Sequence, residues 1–475
     1  MRRLWFVPVA LLALFVSVFL LRVFGGPSLY DSGVYVGGAV ALAHGVLPYR
    51  GWWFVQPPGS LVALLPVGLL SRWLGVSVAF GVARCLAVLL FVGLSVGVSF
   101  VVRSWGLASS LIAGCGVALS PVMMFESSAV KLELLLAALC LVAGWLLFGR
   151  SGVSYRSAGL VFGFALSVKL WAVFPLVGAV LVCVVFGLPV VWRLLGWSVV
   201  GASVVCLPFF VLDPSGMFRQ VVLAQFFRRS LSSESMSLVQ RFASLAGFVV
   251  FGRVVLVLVA FSFAVVVLVA VDSWRRWLSP LSLFFALAFV LSAVGLMLSS
   301  ESYPYYFVFP VVFLWCFVGV VLGPYVGSWL GRSLAAGSLA LVGVFGFVLS
   351  SSLASASVPA ASTVVAARSV VPVGSCVVSA EYADSLLLGR PASGSCPAVL
   401  DAYGLFMRGG YHLGVPPASF CRLWLGYVRR AAFLVEPVWR DFNFPWRCSS
   451  FSRYVGSSFR VVFFRPGLYV LGRLS

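Results

Sequence analysis

Acidic residues are scarce in this chain. Twelve Asp and Glu stand among 475 residues, and Lys131 and Lys169 are the only lysines, so the basic side is almost entirely arginine. Charged residues make up 9% of the sequence and hydrophobic ones 62%. A soluble globular protein is about one quarter charged and about half apolar, so this composition excludes a cytosolic enzyme and a disordered chain. Also missing are a P-loop, a G-x-G-x-x-G after a strand and an H-E-x-x-H, and with them any nucleotide or zinc-protease signature. No C-x-x-C pair occurs, and His412 is the only histidine near the C-terminal cysteines, which leaves a structural zinc site poorly provided. No D-x-D pair occurs either; its absence leaves a divalent metal open. The net charge of +20 is spread as singles and pairs between apolar runs, a pattern of topology signals rather than of a nucleic-acid surface.

What is present is a succession of long apolar runs. Met1-Arg2-Arg3 precedes one from Leu4 to Phe24, with no A-x-A-like cleavage site after it; at about 20 residues it spans a bilayer and reads as a first helix with its N-terminus inside. The positive-inside rule then predicts spans near 77–102, 107–125, 132–149, 158–170, 171–190, 196–212, 247–271, 280–299, 306–322 and 334–353. The cytoplasmic turns would hold Arg103, Arg150 with Arg156, Arg193, Arg275 with Arg276, and Arg332. The region 158–190 fits two short helices or one long one. Gly59–Gly75 is short and broken by Pro66 and Gly68, and is expected as a half-inserted helix on the outer face. The expectation is a polytopic α-helical protein of about 11 transmembrane helices over residues 1–356. The arginine-for-lysine bias points to GC-rich codon usage and so to a bacterial plasma membrane.

After Ser350 the composition turns to Ser, Ala, Gly and Pro. Residues 357–475 hold 12 Arg against five acids, with short β-prone runs such as 370–379 and 459–471 between Pro and Gly turns. They are expected to form a small extracytoplasmic α+β domain. Cys376, Cys396, Cys421 and Cys448 all lie there, an even number in an oxidising compartment, and three pairings are open. The other six cysteines fall in or near apolar spans, as small buried hydrophobes do.

The polar residues of the membrane part collect in its outer loops. In residues 25–58, a short helix from about Val34 to His44 is capped by Asp31 or Ser32, unless Asp31, which follows the first helix, serves chemistry; Trp52 and Trp53 are an interfacial belt or a sugar platform. Glu126, Lys131 and Glu133 in the second outer turn read as an interfacial ion pair or as the polar floor of a substrate cavity. Lys169, flanked by apolar residues, either snorkels to the interface or holds a phosphate. The loop 213–246 carries Arg219, Arg228, Arg229 and Arg241 on a face where the topology rule disfavours them, which an anionic ligand would explain and a different topology would also explain. Glu301, Tyr303 and Tyr305 complete the outer set.

Taken together, Asp31, Tyr35, Gly45-Val-Leu-Pro48-Tyr49 and Gln56-Pro57-Pro58 resemble the first outer loop of the glycosyltransferase-C superfamily. Within it, Ser167-Val-Lys169-Leu-Trp171, Asp213-Pro214 with Gln225-Phe-Phe-Arg228, Cys376-Val-Val-Ser and Cys396-Pro-Ala-Val-Leu-Asp401 are most similar to the bacterial family 87 type, which uses polyprenyl-phosphate mannose. Two departures stand out: Gln56 occupies the place of a lysine found before the Pro-Pro in aminoarabinose-transferase-like members, and Pro304-Tyr305-Tyr306 replaces a His-Tyr seen in relatives.

The resemblance implies inverting transfer of a sugar, mannose or a pentose, from a polyprenyl-phosphate donor to a lipid-linked or polysaccharide acceptor on the outer face, with no resident cofactor. It makes Asp31 the base, with Lys169, Arg228 and Arg229 on the phosphate. It assigns Tyr35, Tyr49, Trp52, Gln56, Glu126, Lys131, Glu133, Glu301, Tyr303 and Tyr305 to substrate contacts. The alternative is a polytopic transporter or lipid-linked sugar flippase; such proteins show repeated halves with matching broken helices, and none is visible here.

Overall fold

The computed structural model describes residues 6–24, 30–127, 129–149, 154–226, 237–245, 279–299, 302–327, 361–379, 381–391, 396, 418–437, 448–465 and 468–474. The chain is a multi-pass, mostly helical membrane protein with a small C-terminal sheet. Four helices among the described residues are long and apolar enough to cross a bilayer: Val76–Val101, Leu188–Leu212, Pro280–Leu298 and the continuous Pro304–Val326. The expected spans 247–271 and 334–353 lie outside the described residues, as do Arg228, Arg229 and Glu301.

In chain order the first elements are α1 (Val7–Phe24), α2 (Tyr30–Ala43), α3 (Gly59–Leu74), α4 (Val76–Val101), α5 (Leu107–Leu119), α6 (Pro121–Glu126), α7 (Leu132–Phe148), α8 (Tyr155–Val168), α9 (Val173–Val184) and α10 (Leu188–Leu212). The core gathers Phe91, Phe162, Phe284, Phe285, Phe309 and Phe313 from four helices, all fully buried. Small residues let helices approach where they pack most closely: Gly159 and Gly163 of α8 face Ser198 and Gly201 of α10.

One boundary that the sequence leaves open is resolved and two differ from the sequence reading, each for a local reason. The region 158–190 is two helices, because the backbone of Lys169 is extended (φ −156, ψ 134) and a short 3-10 turn, Leu170–Ala172, follows it. The span expected at 107–125 divides at Ser120-Pro121, where the proline nitrogen has no proton to continue the ladder and opens α6 instead. α10 begins at Leu188, not near 196, and takes in Arg193, whose guanidinium lies 5.4 Å from the Tyr155 ring.

The C-terminal region is α+β. Strands β1 (Val377–Ser379), β2 (Phe433–Pro437), β3 (Phe459–Arg465) and β4 (Leu468–Arg473) form one sheet in the order β1-β2-β4-β3, with β1 parallel to β2 and the other pairs antiparallel. Val364, Ala367, Val377, Val435, Leu468 and Val470 fill its core. The four tail cysteines close two bonds, Cys376–Cys396 and Cys421–Cys448. The sheet region docks on the membrane part through a short helix, Tyr382–Leu387, whose Tyr382, Ala383 and Leu386 pack with Val36, Val40, Phe80 and Val130.

Candidate active site

Asp31 is not a cap. α2 begins at Tyr30, so Asp31 lies in its first turn, and its carboxylate reaches across the fold to Lys131, with Nζ 2.6 Å from Oδ2. Ser32, the other cap candidate, is fully buried, and its Oγ accepts the Val130 N–H at 3.0 Å. Two adjacent residues of α2 thus grip two adjacent residues of the segment that leads into α7.

Lys131 and Glu133 do not pair with each other. Lys131 is the extended residue before α7 and Glu133 sits in that helix's first turn, where the exposed N–H groups favour a carboxylate. Two residues apart at a helix start, the side chains point to different sides. Lys131 takes Asp31; Glu133 takes Lys169, with Nζ 2.5 Å from Oε1. The break in the helix at Lys169 is what aims that lysine inward.

Aromatic rings line both ammonium groups. Lys131 Nζ sits 3.5 Å from the Tyr305 ring centroid, and Lys169 Nζ 3.8 Å from Trp171 and 4.4 Å from Tyr306. Trp171 meets Tyr306 edge to face at 4.4 Å, and Tyr303 stacks on Tyr305 at 5.6 Å. Trp171 and Tyr306 enter the sequence reading only inside family motifs, with no site role of their own; the Lys-x-Trp spacing across a helix break was the available signal.

Glu126, the last residue of α6, is 1% exposed, and its Oε2 meets no hydrogen-bond donor among the described residues. Burial raises its carboxyl to about 7; Lys131 opposes the shift, and Glu133 and Asp31 add to it. Burial also acts to raise Asp31. There, however, the charge and hydrogen bond of Lys131, then Lys169 and the Tyr305 hydroxyl, outweigh it and hold the carboxyl below its ordinary value. The described side chains therefore set three carboxylates against two ammonium groups, with one carboxylate unmatched. No three His, Cys, Asp or Glu among the described residues converge closely enough to hold a metal ion.

The other predicted residues support this centre from the 49–56 turn. Tyr49 has φ 68, a left-handed conformation uncommon for a residue with a side chain, and its hydroxyl donates to Gln56 O at 2.8 Å. Gln220 clasps the turn from a π-helical segment, Phe218–Leu223: its Nε2 donates to Tyr49 O at 2.7 Å and its Oε1 accepts from Phe54 N at 2.8 Å. Tyr35 lies edge-on to Phe54, and Trp52 packs against Phe54 and Gly38. Gly59 follows at the start of α3, where a Cβ would come within 2.6 Å of the Ser167 carbonyl carbon, and this contact keeps the Pro57-Pro58 turn against the Lys169 break. Of the outer arginines, Arg241 donates to the carbonyls of Met297 and Ser299 at 2.9 and 2.5 Å, closing the end of the helix Pro280–Leu298, and Arg219 bonds back to Ser215.

No protein-family model matches the chain, and no curated protein sequence does. Its structure is similar to that of ArnT from Cupriavidus metallidurans bound to undecaprenyl phosphate, at 18% identity and a TM-score of 0.62, over 99% of this chain and 97% of that one. It is also similar to the archaeal oligosaccharyltransferase AglB from Archaeoglobus fulgidus in complex with an inhibitory peptide and a dolichol-phosphate. There the identity is 12% and the TM-score 0.54, over 100% of this chain and 75% of that one. At such identities the likeness is one of fold, and it extends over the whole chain: the architecture is glycosyltransferase-C-like.

Proposed function

We propose that the protein is a membrane glycosyltransferase that moves a sugar, mannose or a pentose as in family 87, from a polyprenyl-phosphate donor to a lipid-linked or polysaccharide acceptor of the cell envelope. The carrying observation is the half-buried Asp31 carboxylate with two ammonium groups at hand, in a fold whose solved relatives hold undecaprenyl phosphate or a dolichol-phosphate. The reaction faces the outside of a bacterial plasma membrane, with the N-terminus inside and residues 357–475 outside.

The acceptor hydroxyl oxygen bonds to the anomeric carbon as the bond from that carbon to the phosphate oxygen breaks. The electron pair leaves with the polyprenyl phosphate, and the hydroxyl proton goes to Asp31. Attack opposite the leaving group inverts the centre. Lysine ammonium groups, with Arg228 and Arg229, hold the charge that develops on the phosphate. Glu126 accepts from a hydroxyl of sugar or acceptor, Glu133 holds Lys169, and Tyr303, Tyr305 and Trp52 offer ring faces to the sugar.

Purified protein supplied with a radiolabelled polyprenyl-phosphate sugar and envelope lipid is the direct test. Transfer that is lost in Asp31→Asn, with insertion intact, supports the reading. Movement of the lipid-linked sugar between leaflets of a proteoliposome without transfer overturns it in favour of a flippase.

A further inference from the structure

The two ion pairs of the site are chemically alike but differently placed. The Glu133 side chain is 1% exposed and Lys169 6%, a sealed pair braced by Trp171 and Tyr306. In the other, the Lys131 side chain is 4% exposed and Asp31 17%, so this pair is reached from the carboxylate side. That bond also weakens Asp31 as a base: the 2.6 Å contact occupies one of the carboxylate's lone pairs, and the ammonium charge beside it lowers the carboxylate's pull on a proton.

Resting on the glycosyltransferase reading, we propose that Lys131 is a substrate-exchanged mask: it covers Asp31 in the free enzyme and passes to the donor phosphate when the donor binds, uncovering the base. The construction around it suits a movable head on a fixed stem. Ser32 Oγ anchors the backbone at Val130 N–H, while the four-carbon stem of Lys131 lets its ammonium change position by rotation about its own bonds. The Tyr305 face 3.5 Å from Nζ stays available to the ammonium while it changes partners. A carboxylate and a phosphate ester oxygen compete for the same N–H groups, so binding one releases the other. When the polyprenyl phosphate departs, Lys131 returns to Asp31 and the base is silent until the next donor arrives.

The test is a binding cycle with undecaprenyl phosphate in detergent micelles as the probe. Removing the competing carboxylate should strengthen the phosphate's hold: Asp31→Asn is expected to bind about tenfold more tightly than the wild type, on the scale of coupling between close charge pairs. Lys131→Gln should lose most binding. In the double variant Asp31→Asn/Lys131→Gln, which leaves no unpaired charge and so protects the fold, the gain should vanish. Glu126→Gln controls for simple loss of negative charge and should gain far less than Asp31→Asn. A gain that persists in the Lys131→Gln background, or equals that of Glu126→Gln, overturns the exchange. A wild type that binds undecaprenyl phosphate and transfers sugar while Asp31→Asn gains nothing overturns the exchange but not the enzyme. A wild type that does neither overturns the glycosyltransferase reading itself.

Discussion

Gly33 and Ala383 touch backbone to backbone: a Cβ built on Gly33 would collide with Ala383 N and lie 2.9 Å from its Cα. The residue two places after Asp31 is thus the seat on which the C-terminal region rests. Gly33→Val should lift the Tyr382–Leu387 helix from α2. The expected result is a C-terminal region that limited proteolysis releases readily, and an activity well below wild type, from a protein that still inserts. Unchanged protease resistance would mean that the docking does not depend on this contact.

Ser32→Ala leaves the buried Val130 N–H without its acceptor, a cost of about 1–3 kcal/mol. Because Val130 carries Lys131 beside it, the loss should appear in kcat more than in expression. Ser32→Thr, which restores the acceptor, should recover most of the rate; a Thr variant as slow as the Ala variant would argue against the hydrogen bond.

Glu126 predicts a pH dependence of stability. Its carboxyl rises from an ordinary 4.5 to about 7 in the folded chain, so the folded state holds the proton more tightly than the unfolded one. Its contribution to stability is full below pH 4.5 and declines as pH rises toward 7, by about 3 kcal/mol over that window. Thermal unfolding in detergent should therefore show the wild type weakening from pH 5 to 8 (roughly the span over which this group titrates). Glu126→Gln, neutral throughout, should weaken less.

The Lys169–Glu133 pair separates structural from ligand-binding roles. Lys169→Met alone strands a buried carboxylate, at about 3–5 kcal/mol. The double change Lys169→Met/Glu133→Leu removes both charges and should regain much of the thermal stability. If the donor affinity of the double variant is also normal, Lys169 only braces the site; if it stays weak, Lys169 contacts the phosphate.

The helical membrane class and the α+β tail were legible because composition and apolar run length carry them directly. Asp31 stood out because so few acids compete with it. The wiring of the site was not legible: Lys131 finds its carboxylate 100 residues away and Lys169 its own 36 away, whereas the sequence suggests the neighbour two residues along. The start of α2 was misread for a related reason. Asp and Ser are cap residues when their side chains turn to the local backbone, but here both are engaged by the second outer turn, and the helix starts before them.

The Cys376–Cys396 bond brackets the helix that sits on Gly33. In the proposed orientation, that bond closes only after the end of the chain has crossed the membrane and met an oxidant. The membrane helices come first in synthesis, and the part that braces Asp31 from behind comes last. Order of manufacture thus becomes a safeguard: a half-made or still-reduced chain already has its carboxylate and lysines, but not the support that holds them in register.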